Sequence, residues 1–224
     1  MGEAIGALLP FAVGVAISPM PIVAMVLMLI TPKATSNGFT FLLGWLVGVG
    51  LAGAIALAVL SPTSTDDEGA AATWTFWLKL VLGLGLVLLA VRQWQHRPEP
   101  GADVPMPKWM SALDGFTPVK AGGLAVLLSG LNPKNLLFII GGATVVAQQD
   151  LSVAQDTVAW VVFTLIAAIG VAVPMGIYLF LGERAAATLD RLKTWLAANN
   201  TAIMAVLLLI IGVKLIGGGI GGIF

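Results

Sequence analysis

Two short segments of this chain join a helix-capping side chain to a proline inside a strongly apolar stretch. They are Ser18-Pro19-Met20-Pro21 and Asn132-Pro133-Lys134-Asn135. Ser and Asn are good N-caps, and proline favours the first helical position. Each pair therefore reads as a helix beginning within a longer apolar segment, and Pro21 reinforces the first break. Proline withholds its N–H from the preceding turn. The carbonyls freed in this way need partners or water, so such breaks line buried cavities when they lie in a membrane. The new N-termini carry partial positive charge and unpaired N–H groups. Two of them meeting near a midplane make a site for an anionic or strongly polar group. For a single proline the plain kink is the favoured reading, and Pro174, which has no counterpart, is read that way.

Lys134 is the cation that stands out. It lies about 20 Å from either end of its apolar segment, beyond easy snorkelling. A lysine at that depth costs roughly 2.5–3.5 kcal/mol on insertion scales. The apolar segments carry no Asp or Glu to pair with it. A ligand anion, backbone carbonyls or cavity water are its candidate partners. Lys79, Lys214 and Arg92 lie nearer segment ends and read as interface anchors. Other chemistry finds no residues. The sole histidine, His96, lies in a loop without a second metal ligand. No apolar segment pairs a Ser with a His or Asp for nucleophilic catalysis. There are no cysteines, which excludes disulfides, thiolate metal sites and thiol relays. No catalytic residue, metal or cofactor is expected, and without a buried carboxylate a proton relay is not supported.

The elements that must hold these residues are membrane helices. Of 224 residues, 58% are hydrophobic and 10% charged, against about 25% charged in a soluble domain. Mean hydropathy is +1.00. Apolar stretches lie near 4–30, 38–60, 74–94, 119–147, 155–181 and 199–220. Spans of about 20 residues each leave no room for a soluble catalytic head. The start of the chain lacks the basic region of a signal peptide, so the first stretch reads as an uncleaved span. Lys33, Arg92, Arg97, Lys108, Lys120, Arg184, Arg191 and Lys193 fall in or beside alternate loops. The opposite loops carry Glu3, Asp66, Asp67, Glu68, Asp150 and Asp156, with no Lys or Arg. Positive residues stay inside, which puts both termini outside a plasma membrane. The loop sequence Pro107–Phe116 reads either as a short interfacial helix, with Trp109, Leu113 and Phe116 on one face, or as an irregular anchored linker. The Gly-rich tail after Leu215 reads as prone to fray. Gly44 and Gly48 form a GxxxG pair, whose usual meaning is close helix packing. Most tryptophans read as belt residues, and Trp45 as the one that could line a cavity.

The two halves look alike. Pro19 aligns with Pro133, Gly50 with Gly170, and Ala90-Val91-Arg92 with Gly212-Val213-Lys214, at offsets that grow slightly along the chain. Three spans followed by three spans enter the membrane from opposite sides, which is the construction of many secondary transporters. The expected fold is an all-α membrane protein of six transmembrane helices, a 3+3 inverted repeat with broken first and fourth helices. Residues 1–94 form the first repeat, 95–118 a cytoplasmic linker and 119–224 the second repeat.

The SPMP and NPKN segments resemble the LysE superfamily of six-span exporters. The strings FLLGWLVGVG (41–50), LAVLLSGLNPKNLLFIIGGATVVAQ (124–148) and VFTLIAAIGVAVPMGIYLFLGER (162–184) are similar to its actinobacterial GAP branch, the glycolipid- and sulfolipid-addressing proteins. The resemblance covers nearly the whole chain. It implies a transporter or flippase that moves a cell-envelope glycolipid or lipid-linked anionic precursor toward the outer surface. The substrate-binding residues it carries over are Ser18, Pro19 and Pro21 in the first half and Asn132, Pro133, Lys134 and Asn135 in the second. Met20 stands where amino-acid exporters have glycine, which weakens an amino-acid substrate. An exporter of small polar metabolites and a non-transporting scaffold for envelope-lipid enzymes are the alternatives, and an enzyme is not expected. The expected partners are a membrane lipid or lipid-linked substrate, with envelope-lipid biosynthesis proteins and further copies of the chain as additional candidates. With zero net charge, nucleic acid is not among them.

Overall fold

A computed structural model describes residues 1–60, 68–96, 116–149 and 151–223. The interfacial helix expected within 107–116 lies, but for Phe116, outside them. The described residues form eight α-helices and no strand: α1 Gly2–Ala16, α2 Pro19–Leu29, α3 Ala34–Leu60, α4 Glu68–Gln95, α5 Pro118–Gly130, α6 Pro133–Ala147, α7 Val153–Leu181 and α8 Ala185–Ile223. α3, α4, α7 and α8 are each long and apolar enough to cross a membrane. The pairs α1–α2 and α5–α6 meet that test only when each is taken as one bent span, with bends of 51° and 58°. Both breaks fall where a polar N-cap residue, Ser18 or Asn132, precedes a proline.

Apolar side chains lie on both the inside and the outside of the bundle. Phe11, Phe41, Trp45, Phe138 and Phe163 are buried, while Ile55, Val59, Leu88, Leu165 and Phe180 are exposed. That arrangement is stable where the surroundings are themselves apolar. Glycines set the closest helix contacts. A Cβ at Gly44 would stand 3.0 Å from Cα of Gly122, and one at Gly48 3.1 Å from Cα of Val126. The GxxxG pair thus packs α3 along α5, as close-approach motifs do. Gly83 and Gly212 bring α4 and α8 together in the same way, each facing the other's carbonyl oxygen at 2.8–2.9 Å from a built Cβ. Residue numbers rise together along α3 and α5 and run oppositely along α4 and α8, α1 and α6, and α3 and α7.

Three expectations are corrected. The charged segment between the fifth and sixth spans is not a loop. It collapses to a 3-10 turn, Gly182–Arg184, where Gly182 takes φ 54°, and α8 begins at Ala185. Ala185, Leu189 and Leu196 form a buried stripe at helical spacing, and Lys193 pairs with Asp190 at 2.6 Å. A good helix-forming sequence with one apolar face does not stop at the membrane boundary. Second, the Gly-rich tail does not fray at Leu215. It remains helical to Ile223, because Gly219 lets α8 lie against Leu80 and the Phe76 carbonyl of α4. Third, α7 starts at Val153, so Asp156 is not a loop residue but sits in the first turn of the helix. Ser152 caps that turn through a complete capping box with Gln155. Pro174 lies inside the continuous α7, as expected of a simple kink residue.

Candidate functional site

The site is built from the two breaks and the helices on which they rest. Ser18 is the N-cap of α2 with φ −61° and ψ 113°, is 4% exposed, and makes no side-chain cap bond. Its N–H donates back to the Val15 carbonyl at 3.2 Å. Pro19 and Pro21 are both buried. Two of the first three helical positions of α2 therefore carry no N–H, so this terminus is poor in donors. The second break is different. Asn132 Oδ1 accepts from the Lys134 N–H at 3.1 Å, closing the first turn of α6. Pro133 is exposed and Lys134 half-buried. No hydrogen-bond or ion-pair partner for the Lys134 ammonium occurs among the described residues.

Asn135 stitches the second break together. It is 0% exposed, and its Nδ2 donates to the Leu128 carbonyl at 2.8 Å. In an unbroken helix that carbonyl would accept from the N–H of residue 132, four positions on. The bend frees it, and the first turn of the next helix supplies a side-chain donor instead. Asn135 Oδ1 stays buried with no protein partner among the described residues.

Both breaks rest on the central pair α3 and α7. A Cβ at Gly170 of α7 would lie 2.7 Å from the Ala16 carbonyl carbon at the end of α1, and one at Gly130, the last residue of α5, 3.0 Å from the Gly48 carbonyl oxygen of α3. Between these seats Trp45 Nε1 donates to the Ala167 carbonyl at 3.1 Å. Gly48 and Gly170 each follow that hydrogen bond by three residues on antiparallel helices. The two breaks therefore lie within roughly two helical turns of one level. Trp45, the one tryptophan read as able to line a cavity, is 1% exposed and works as a brace, its indole bonded across the α3–α7 seam.

The other lysines are not simple anchors. Lys79 Nζ donates to Gln148 Oε1 and lies 5.6 Å from the Phe76 ring centre. Lys214 Nζ donates to the Ala7 carbonyl at 3.1 Å and lies 5.5 Å from the Phe11 ring centre. Both reach uncharged protein acceptors and lie near aromatic rings, which favour a cation. The sequence reading missed a second polar knot. Asn37, 0% exposed, donates to Thr31 Oγ1 at 2.9 Å and to the Phe116 carbonyl at 3.3 Å, while Thr31 Oγ1 donates to Met28 at 2.7 Å. It ties the end of α2 to the entry of α5. The only sequence signal was an Asn within a loop that otherwise reads as polar punctuation. Among the described residues no group of His, Cys, Asp and Glu could hold a metal ion.

These features define a helical multi-pass membrane protein with two helices broken inside the apolar region. The sequence model of the family described as Sap, sulfolipid-1-addressing protein, matches residues 8–221, and the chain belongs to that family. No curated protein and no solved structure matches it significantly.

Proposed function

We propose that this protein is a transporter or flippase that moves a cell-envelope lipid or a lipid-linked anionic precursor toward the outer surface, without chemistry on the substrate. The observation that carries this reading is Lys134. A half-buried ammonium with no partner among the described residues stands on the first turn of α6, where the helix dipole adds to its charge. It lies beside a break that rests on the central helix pair. A compact cation on a flexible stem suits a phosphate or sulfate headgroup that must be bound and then released. Membership of a sulfolipid-addressing family supports a lipid over a small solute.

The fold is read as an inverted repeat in which α1–α2, α3 and α4 exchange with α5–α6, α7 and α8. The helix pairings support this: α3 with α5 mirrors α7 with α1, α3 with α6 mirrors α7 with α2, and α4 meets α8. The mirror pairs are not all equally close. α1 packs closely on α6 through Gly14 against Phe138 and Gly141 against Phe11, while the mirror pair, α2 and α5, barely touches. An inverted repeat caught in one of two exchanged states has this asymmetry. With both termini outside, the closed face is the outer one.

The test is translocation of a fluorescent anionic lipid across proteoliposome membranes. Lys134→Met lowers the rate at least tenfold, with thermal stability retained, while Lys33→Met, an exposed loop change, leaves it unaltered. Unchanged transport in Lys134→Met refutes the site, and unfolding of that variant assigns Lys134 to structure instead.

A further inference from the structure

Away from the breaks, α3 and α7 leave a cleft between their Leu60 and Val153 ends. Its volume is about 550 Å³, within the usual range for a ligand pocket. Gly50, Ala54, Leu57 and Ala58 form one wall. The cleft opens onto the apolar outer face of the bundle: Val161 on its wall is 51% exposed, and Ile55, next to Ala54, is 64% exposed. From Val153 to Leu165 the α7 wall runs about 18 Å, close to the depth of one leaflet of a hydrocarbon core of about 30 Å.

Two polar groups on the α7 wall have no protein partner. Trp160 is 5% exposed, stacks on Phe163 with ring centres 4.3 Å apart, and lies across the open Cα face of Gly53. Its Nε1 donor is buried and unpaired among the described residues, and so is Asp156 Oδ1, one turn earlier on the same face. Each such orphan costs on the order of 1–3 kcal/mol, more for a charged group. The neighbouring hydroxyls do not relieve them. Thr157 donates to the Val153 carbonyl at 2.8 Å and Thr164 to the Trp160 carbonyl at 2.9 Å. One N–H donor and one carboxylate acceptor, a helical turn apart, match a group that both accepts and donates. A hydroxyl does both. A cationic head would satisfy Asp156 and leave the indole unpaired, and an anionic head would be repelled by Asp156.

We propose that this cleft is a lipid-binding site that takes an acyl chain along the apolar wall and a hydroxyl of a sugar-bearing head at Asp156 and Trp160. The inference rests on the lipid-moving reading above and adds to it a second contact point, which recognises hydroxyls and lies apart from Lys134. A small bend of the indole off Gly53 exposes Nε1 to the bound hydroxyl.

The probe is monoglucosyl diacylglycerol, with phosphatidylcholine of the same chains as the reference. Relative affinity is measured by native mass spectrometry of the purified full chain. The wild-type protein is expected to prefer the glycolipid about tenfold. Trp160→Phe, which keeps an aromatic ring but removes the N–H with the pyrrole ring that bears it, and Asp156→Asn each reduce that preference at least threefold while phosphatidylcholine binding persists. Ala58→Phe, which fills the cleft, removes binding of both. A preference unchanged by Trp160→Phe and Ala58→Phe overturns the proposal. So does absence of any preference together with an altered oligomer size in Ala58→Phe, which would assign the cleft to a second copy of the chain. Glycolipid preference at the cleft with no lipid translocation by the wild-type protein keeps the binding site and refutes the transport reading instead.

Discussion

Gly170→Ala tests the seating of the first break on the central helices. In the structure the α1 end meets α7 at this glycine. A Cβ there would stand 2.7 Å from the Ala16 carbonyl carbon, 3.4 Å from its Cα, and far inside van der Waals contact with its oxygen. The obstacle is backbone at a helix end, so no rotamer change relieves it. α1 must retreat from α7 by roughly an ångström or more, and contacts along the seam weaken together. Overpacking of this kind costs about 1–3 kcal/mol. Against it stands the helix preference of Ala over Gly, about 1 kcal/mol. Gly176, on the same helix, supplies the control, because a Cβ there meets nothing within 4 Å. Gly176→Ala should therefore be neutral or stabilised by up to about 1 kcal/mol. The readout is reversible unfolding of the purified protein in mixed micelles with increasing dodecyl sulfate. The expected outcome is a gap of about 1–3 kcal/mol between the two variants, with Gly170→Ala the weaker. If Gly170→Ala is as stable as Gly176→Ala, the α1 end does not pack on α7 here, and the account of the break fails with it.

Three further outcomes follow from other contacts. In this cysteine-free chain, Ala154→Cys should react with an impermeant maleimide from outside intact cells and Thr188→Cys only after permeabilisation; the reverse pattern would invert the topology. Asn37→Leu should cost about 1–3 kcal/mol in the same unfolding assay, because Thr31 and the Phe116 carbonyl lose a buried donor; a neutral result would remove the knot between α2 and α5. Trp45→Phe keeps most of the ring and deletes the bond to Ala167, with an expected loss of about 1 kcal/mol; a gain in stability would show that the indole N–H is no brace.

Chain order and local chemistry determine much of this protein. The helical class, the membrane setting, the two breaks and their positions follow from apolar runs and from two capping residues before prolines. Those effects act within a few residues, so the chain carries them without help from distant partners. The GxxxG at Gly44 and Gly48 was legible for the same reason, though not its partner. Element ends that depend on packing were not legible. The segment 185–196 looks like a charged loop until its Ala and Leu stripe meets the bundle, and the tail after Leu215 looks mobile until Gly219 packs against α4.

The site divides along the same line. Lys134 on the first turn of a helix is a sequence statement, because a proline and an Asn cap fix it locally. That Asn135 repairs the Leu128 carbonyl, that Trp45 is consumed by Ala167, and that Lys79 and Lys214 reach Gln148 and Ala7 depend on which helices meet. The α3–α7 cleft is the clearest case. Nothing in the spacing of Asp156 and Trp160 distinguishes them from a loop acid and a belt tryptophan. Only the packing of α7 against α3 at Gly53 buries the Trp160 indole, and only the folded bundle leaves its Nε1 and Asp156 Oδ1 buried and unpaired on the wall of one cleft. Hydrogen bonds and proline geometry act between near neighbours in sequence, whereas burial is a property of the assembled helices.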